Sequence, residues 1–163
     1  MYVVTFIIKP LLNKFRNFCL RKAVEKQLEN LEDDEKDLIY GLYNEYDHAY
    51  CFPMNDSTIN MLNAKGFLFT YNQQAQVLDY SDDIGMIYKL QPIVVWSVRN
   101  IIKKKTKKAD CLKIKLSKCK DKEKQKKMKD KIKTLEDCLK KVKSTSLDEY
   151  YGVNNYSNTN GIY

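Results

Sequence analysis

Residues 92–143 decide the fold: PIVVWSVRNIIKKKTKKADCLKIKLSKCKDKEKQKKMKDKIKTLEDCLKKVK, with no glycine and with its only proline at the first position. Proline suits the first turn of a helix, because the N–H that it lacks is unpaired there in any case. Strong helix formers, above all lysine, fill most of the remaining positions. The segment therefore predicts a long lysine-rich helix or a helical hairpin.

Apolar residues recur in this segment at three- and four-residue steps, which is the seam of a heptad pattern. The first run ends near Cys119 and the second begins at Met128, and residues 120–127 between them read KDKEKQKK. A seam is lost where a helix stutters or folds back into an antiparallel pair, and we favour the fold-back. Pairing between two copies in a homodimer is the alternative. The predicted seam consists of Val98, Ile102, Leu112, Leu116, Met128, Ile132, Leu135 and Leu139.

Three amphipathic helices are predicted earlier in the chain. The first has an apolar stripe over residues 11–31, and the second follows the acidic run Glu32–Glu35, which suits a helix N-terminus. The third is expected to be capped by Asn55 or Asp56 and to end at Gly66. The residues predicted to face the core are Leu11, Phe15, Phe18, Leu20, Val24, Leu28 and Leu31, then Leu38, Ile39, Leu42, Tyr43 and Tyr46, and then Ile59, Met61 and Leu62.

Extended segments are predicted between these helices. Residues 49–52 precede Pro53, which disfavours helical angles in the residue before it. Apolar residues alternate with period two over residues 67–71 and 86–90, and residues 76–80 are a third candidate strand. Helix, short strand, helix and β-hairpin is the order of a winged-helix-like unit, so we expect an α+β, mainly helical fold. The predicted segments are an apolar start (1–12), a winged-helix-like domain (13–95), a basic helical or coiled-coil extension (96–143) and a disordered tail (144–163).

Positive charge is concentrated in the extension. Residues 1–100 hold 10 Lys and Arg against 13 Asp and Glu, whereas residues 101–143 hold 19 lysines against 6 acids. Lysines in such excess repel one another, and an anionic lipid surface or a phosphate backbone would relieve that repulsion. A solvated helical surface without a ligand is the alternative. The anion-binding candidates are Lys103, Lys104, Lys105, Lys107, Lys108, Lys113, Lys115, Lys118, Lys120, Lys122, Lys124, Lys126 and Lys127.

The first twelve residues, MYVVTFIIKPLL, are apolar but fewer than the roughly 20 that a spanning helix needs. They predict either an element docked on the core or an anchor that lies at the membrane interface. Five cysteines at scattered spacings indicate reduced thiols, so we expect a cytoplasmic protein, with attachment to the inner face of the membrane as the sharper hypothesis. The basic residues expected on the cytoplasmic side are Lys9, Lys14, Arg16, Arg21 and Lys22.

Residues that could carry catalysis are few. His48, the only histidine, is expected at the end of the second helix, where an imidazole can bond terminal carbonyls. His48 and Cys51 supply at most two zinc ligands, whereas zinc sites take three or four, and no third group completes a nucleophilic pair. We therefore predict no catalytic residue, no metal and no cofactor, and expect an interaction protein rather than an enzyme.

Four stretches carry a family resemblance: LENLEDDEK (28–36), DLIYGLYNEY (37–46), CFPMNDSTINMLNAKGFL (51–68) and IGMIYKLQPIVVWSVRN (84–100). They resemble the cytoplasmic part of the superinfection exclusion protein B family. In that family these elements follow membrane-spanning helices, and the proteins, carried by prophages, block infection by other phages. The short apolar start and the lysine-rich extension depart from the family pattern.

Three functions follow as hypotheses. The first is an exclusion factor that binds an anionic membrane surface or a protein partner, as the resemblance implies. The second is a nucleic-acid-binding protein whose winged unit positions the basic helices along a duplex, although the third helix offers Lys65 as its one base and is a poor groove reader. The third is an adaptor that dimerises through its heptads.

Overall fold

The computed structural model describes residues 3–71, 76–77 and 84–147. Within them, the α-helices are α1 (Val3–Glu29), α2 (Asp33–Asn44), α3 (Ser57–Ala64), α4 (Pro92–Lys118) and α5 (Lys122–Ser144). The strands are β1 (Ala49–Pro53), β2 (Leu68–Thr70), β3 (Gln76–Val77) and β4 (Ile84–Leu90). The predicted α+β, mainly helical fold class is confirmed.

Strand β4 is the centre of a small antiparallel sheet. Strand β1 pairs with one edge of β4, and β2 and β3 pair with the other. Strand β1 thus lies beside β4, the last of the described strands in the sequence. Strands β2 and β4 form the hairpin that the period-two pattern predicted. Of the third candidate strand, residues 76–77 are extended, and residues 78–80 lie outside the described part of the chain.

The predicted helix ends are largely confirmed. The carboxylate of Glu35 accepts a hydrogen bond from the backbone N–H of Glu32 at 3.1 Å, which fixes the start of α2. The side chain of Asp56 accepts from two backbone N–H groups in the first turn of α3, and Gly66 follows that helix at a φ of +75°. Pro92 lies in the first turn of α4.

Helix α2 lies at the middle of the core, where Leu38, Ile39 and Leu42 are fully buried. Two residues that the second and third predicted helices were expected to turn toward the core are exposed instead. Tyr46 is 91% exposed because α2 ends at Asn44 and a short 3-10 turn carries the tyrosine outward. Met61 is 42% exposed because only Ile59 and Leu62 of α3 face the core.

Helix α1 departs further from the prediction. It begins at Val3 and continues through Lys9 and Pro10, and among the residues whose side chains are described it joins the core from Val24 onward, through Leu28 and the following Leu31. The expected burial of Phe15, Phe18 and Leu20 was wrong, since they are 67%, 56% and 49% exposed. The side chain of Leu11 lies outside the described part of the chain.

Helices α4 and α5 form an antiparallel hairpin, as the interrupted seam predicted. The break is short, residues 119–121, because the side chain of Asp121 accepts from the backbone N–H groups of Glu123 and Lys124 and starts α5 there. Most of KDKEKQKK is therefore helical. Seam residues Val98 and Ile132 are buried, and the half-buried ones are Ile102, Leu112, Leu116, Met128, Leu135 and Leu139.

The far end of α5 returns to the core and docks on α2. The side-chain amide of Asn44 donates to the backbone oxygens of Val142 at 2.7 Å and Thr145 at 3.0 Å. Leu147 is fully buried against Gly41. The predicted disordered tail is thus wrong for residues 144–147, which belong to the fold, and its remainder lies outside the described residues.

Candidate membrane interface and basic hairpin

An exposed aromatic and basic surface forms where α1 leaves the core. All side chains from residue 15 to residue 23 are exposed, so nine consecutive positions of a helix have little cover within the chain. We call this surface the collar. It consists of Phe15, Phe18, Leu20, Arg21 and Lys22 of α1 together with Trp96 of α4.

Cation–π contacts hold the collar together. The guanidinium carbon of Arg21 lies 4.4 Å from the ring centroid of Trp96, and the ammonium of Lys22 lies 5.1 Å from that of Phe18. Trp96 is 37% exposed at the start of α4. Aromatic rings beside basic groups are the composition that proteins place at the boundary between lipid and water.

The charged residues before Glu25 are all basic. Residues 1–24 contain five basic residues and no acidic residue, and the first acid of the chain is Glu25. Glu25 is buried and accepts hydrogen bonds from Asn100 and Lys104 of α4. Burial alone raises the pKa of Glu25, but those hydrogen bonds and the charge of Lys104 hold it below its ordinary value. The carboxylate therefore stays ionised and fixes α1 against α4, beneath the collar.

Helices α1 and α4 lie side by side and run in the same direction. Arg21 contacts Trp96, and Glu25, one turn later, contacts Lys104. At about 1.5 Å per residue, α1 begins about 27 Å before Arg21, and α4 ends at Lys118, about 33 Å beyond Trp96. The apolar start of α1 and the tip of the hairpin are therefore at opposite ends of the molecule.

The predicted anion-binding lysines are spread over the hairpin, and all except the half-buried Lys105 are exposed. Four of them pair with carboxylates: Lys104 with Glu25, Lys113 with Glu136, Lys124 with Asp121 and Lys127 with Glu123. Lys105 instead donates to the sulfur of Cys138 at 2.8 Å. Within the described part of the chain, the candidate lysines thus divide into ones with an ion-pair or hydrogen-bond partner and ones without, a division that residue counts did not show.

The third helix presents little positive charge. Lys65, which the sequence offered as its one base, pairs with the buried carboxylate of Glu35 at 2.5 Å. Asn60, on the exposed side, bonds the backbone oxygen of Met54 at 3.0 Å. Cationic side chains that could contact phosphate therefore belong to the hairpin and the collar rather than to α3.

The residues with catalytic potential do not form a reactive pair. His48 is not bonded to the helix carbonyls as predicted, because it lies beyond the end of α2 and its ring stacks on Tyr43 with centroids 5.4 Å apart. Burial raises the pKa of the Cys51 thiol, which disfavours the thiolate that nucleophilic attack needs. In the described ranges, no three His, Cys, Asp or Glu residues come together as a metal site.

None of the described helices has the length and apolar character that crossing a bilayer requires. No protein-family model, curated protein or solved structure matches the chain. The resemblance to the superinfection exclusion protein B family therefore stays a hypothesis.

Proposed function

We propose that the protein is a non-enzymatic exclusion factor of the kind that its sequence resembles, and that it binds the anionic cytoplasmic surface of a membrane through the collar. One observation carries this proposal: α1 leaves the core with Phe15, Phe18 and Leu20 exposed, on a stretch of helix that has basic residues and no acidic one. The apolar sequence before the collar would enter the boundary between headgroups and acyl chains, as interfacial helices do.

The energies involved favour a lipid surface over water for this helix. Full burial of a phenylalanine side chain is worth about 1.5 to 3 kcal/mol, and the collar exposes two of them. Each Lys or Arg near an anionic leaflet adds about 1 kcal/mol. The side chains of residues 15–23 are exposed, so a surface that covers the apolar ones would stabilise this part of α1.

The exposed face of α4 could contact the same membrane surface. Trp96 is followed on the exposed face of α4 by Arg99, Lys103 and Lys107, at steps of three and four residues. Because α1 and α4 run side by side, a membrane that covers the collar would also contact the first of these basic residues. The hairpin tip is farther from the collar than the Debye length of about 8 Å. Its lysines would therefore contribute little to membrane binding unless α4 also lies flat on the membrane.

Vesicle co-flotation tests the proposal. We expect the purified chain to float with vesicles that contain phosphatidylserine and to stay in the dense fractions with pure phosphatidylcholine, because the basic collar needs anionic headgroups. Raising the salt concentration should weaken flotation without abolishing it, since the apolar contribution is not screened. Failure to float with anionic vesicles at low salt would contradict membrane binding and would favour a protein partner for the collar.

The adaptor hypothesis has less support. Ile132 of α5 and Ala109 of α4 are buried where the two helices of the same chain pack together. The heptad pattern thus has an explanation within one chain, and a homodimer through the same seam would require the hairpin to open.

A further inference from the structure

A line of lysines runs along the outer face of α5. Lys122, Lys126, Lys129, Lys133 and Lys140 follow one another at steps of four, three, four and seven residues, so they lie on one side of the helix. All five are exposed, and among the described residues none has a carboxylate within 4.0 Å. We call this line the lysine stripe. It is about 27 Å long at the rise of an α-helix.

Two acids of α5, Glu123 and Glu136, pair with lysines outside the stripe, and two more, Asp130 and Asp137, lie one turn from Lys126 and Lys133 and lower the net charge of this face. Glu123 pairs with Lys127, and Glu136 pairs with Lys113 of α4 at 2.7 Å. Lys141, off the stripe, pairs with Asp37 of α2 at 2.9 Å. The ion pairs thus involve lysines outside the stripe, and the five stripe lysines exceed the two neighbouring aspartates in charge. Like charges one turn apart destabilise a helix, so an anionic ligand along the stripe would stabilise α5.

A straight line of ammonium groups matches a linear polyanion. The stripe contains no arginine, so it is not suited to bidentate recognition of bases. The hairpin from residue 101 to residue 147 contains no aromatic residue on which an unpaired base could stack, as single-strand sites normally provide. These absences favour a double-stranded phosphate backbone contacted without regard to sequence.

We propose that the lysine stripe of α5 binds the phosphate backbone of duplex DNA. The ligand lies along the outer face of the hairpin and contacts neither the sheet nor α3. Because the stripe is on α5 and the collar is on α1 and the start of α4, the site does not depend on the proposed membrane function. A chain attached to a membrane by its collar would keep the tip of this stripe away from the lipid and free for DNA.

Salt-dependent binding to a short duplex of arbitrary sequence, measured by fluorescence anisotropy without lipid, tests the site. Neutralising about five phosphates predicts a slope of about −4 to −5 for the logarithm of the association constant against the logarithm of the salt concentration. The triple variant K126Q/K129Q/K133Q should reduce that slope by about 3 and lower affinity at least tenfold at low salt. Glutamine keeps the helix propensity of lysine, so circular dichroism should be unchanged.

The matched control is K124Q/K127Q/K131Q, which removes the same charge from the same helix but from other faces. Its slope should change by less than about 1. Equal losses in the two variants would show a response to net charge alone and would overturn the proposal. So would a slope near zero for the unmodified chain, equal affinity for a single strand, or binding to anionic vesicles through the stripe in place of DNA. Equal binding to duplex RNA would support a contact to backbone phosphate.

Discussion

Replacing Leu147 with alanine is expected to lower the free energy of unfolding by about 2 to 5 kcal/mol, the usual loss when a fully buried leucine is truncated. Leu147 is fully buried against α2, close to the hydrogen bonds that Asn44 donates to the carbonyls of Val142 and Thr145 at the end of α5. Losing its side chain leaves a cavity and loosens the return of the hairpin to the core. Urea denaturation followed by circular dichroism would measure the change.

Two control variants distinguish the loss of the Leu147 contact from a general destabilisation of the hairpin. Ile114 is 59% exposed on the same hairpin, so Ile114→Ala should change the free energy of unfolding by no more than about 0.5 kcal/mol. A Cβ on Gly41 would lie 2.6 Å from the nearest Leu147 methyl carbon. Gly41→Ala should therefore destabilise the native chain, yet stabilise the Leu147→Ala chain by up to about 1 kcal/mol through helix propensity. A stability loss below about 1 kcal/mol for Leu147→Ala would contradict the docking of this segment.

Removing both phenylalanines of the collar, in the variant F15S/F18S, should weaken binding to phosphatidylserine vesicles by about 100-fold. Two partly buried phenyl rings together contribute on the order of 3 kcal/mol at an interface, and 1.4 kcal/mol corresponds to a factor of ten. Neither ring packs in the core, so the midpoint of thermal unfolding should stay nearly unchanged. Vesicle titration and thermal denaturation of the same preparation give the two readouts.

The control variant is Y46S/Y71S, since Tyr46 and Tyr71 are 91% and 61% exposed and lie at the sheet rather than on α1. It removes two exposed aromatic rings of similar size. Vesicle affinity should stay within about threefold of the unmodified chain, because these rings lie outside the collar. Equal weakening by the two variants would mean that general surface hydrophobicity, and not the collar, controls attachment.

Local signals predicted much of this fold. Helix ends followed from residues whose chemistry acts on the neighbouring backbone, as at Asp56, Gly66 and Pro92. The hairpin followed from a seam that stops and restarts. Contacts to distant parts of the chain were not predictable in this way, and Leu147 fell in a polar segment without any period although it is fully buried. Its burial depends on a glycine 106 positions earlier in the sequence.

The candidate sites, like the fold, could be predicted from the sequence only in part. The lysine excess was visible in the sequence, but its separation into paired and free lysines required the positions of Glu136 and Asp37 in space. The collar was missed because an apolar stripe has the same period whether protein or lipid covers it. Phe15 and Phe18 were therefore assigned to the core. Only the structure brings Arg21 onto Trp96, across 75 positions of sequence.

Fluorescence of Trp96 tests membrane attachment through the collar most directly, because it is the only tryptophan in the chain and lies in the collar itself. Titration with phosphatidylserine vesicles should shift its emission to shorter wavelengths, and brominated acyl chains should quench it. Phosphatidylcholine vesicles should do neither at the same concentration. Emission that stays unshifted and unquenched while the chain floats with anionic vesicles would contradict the account, because the attached surface would then be a different one.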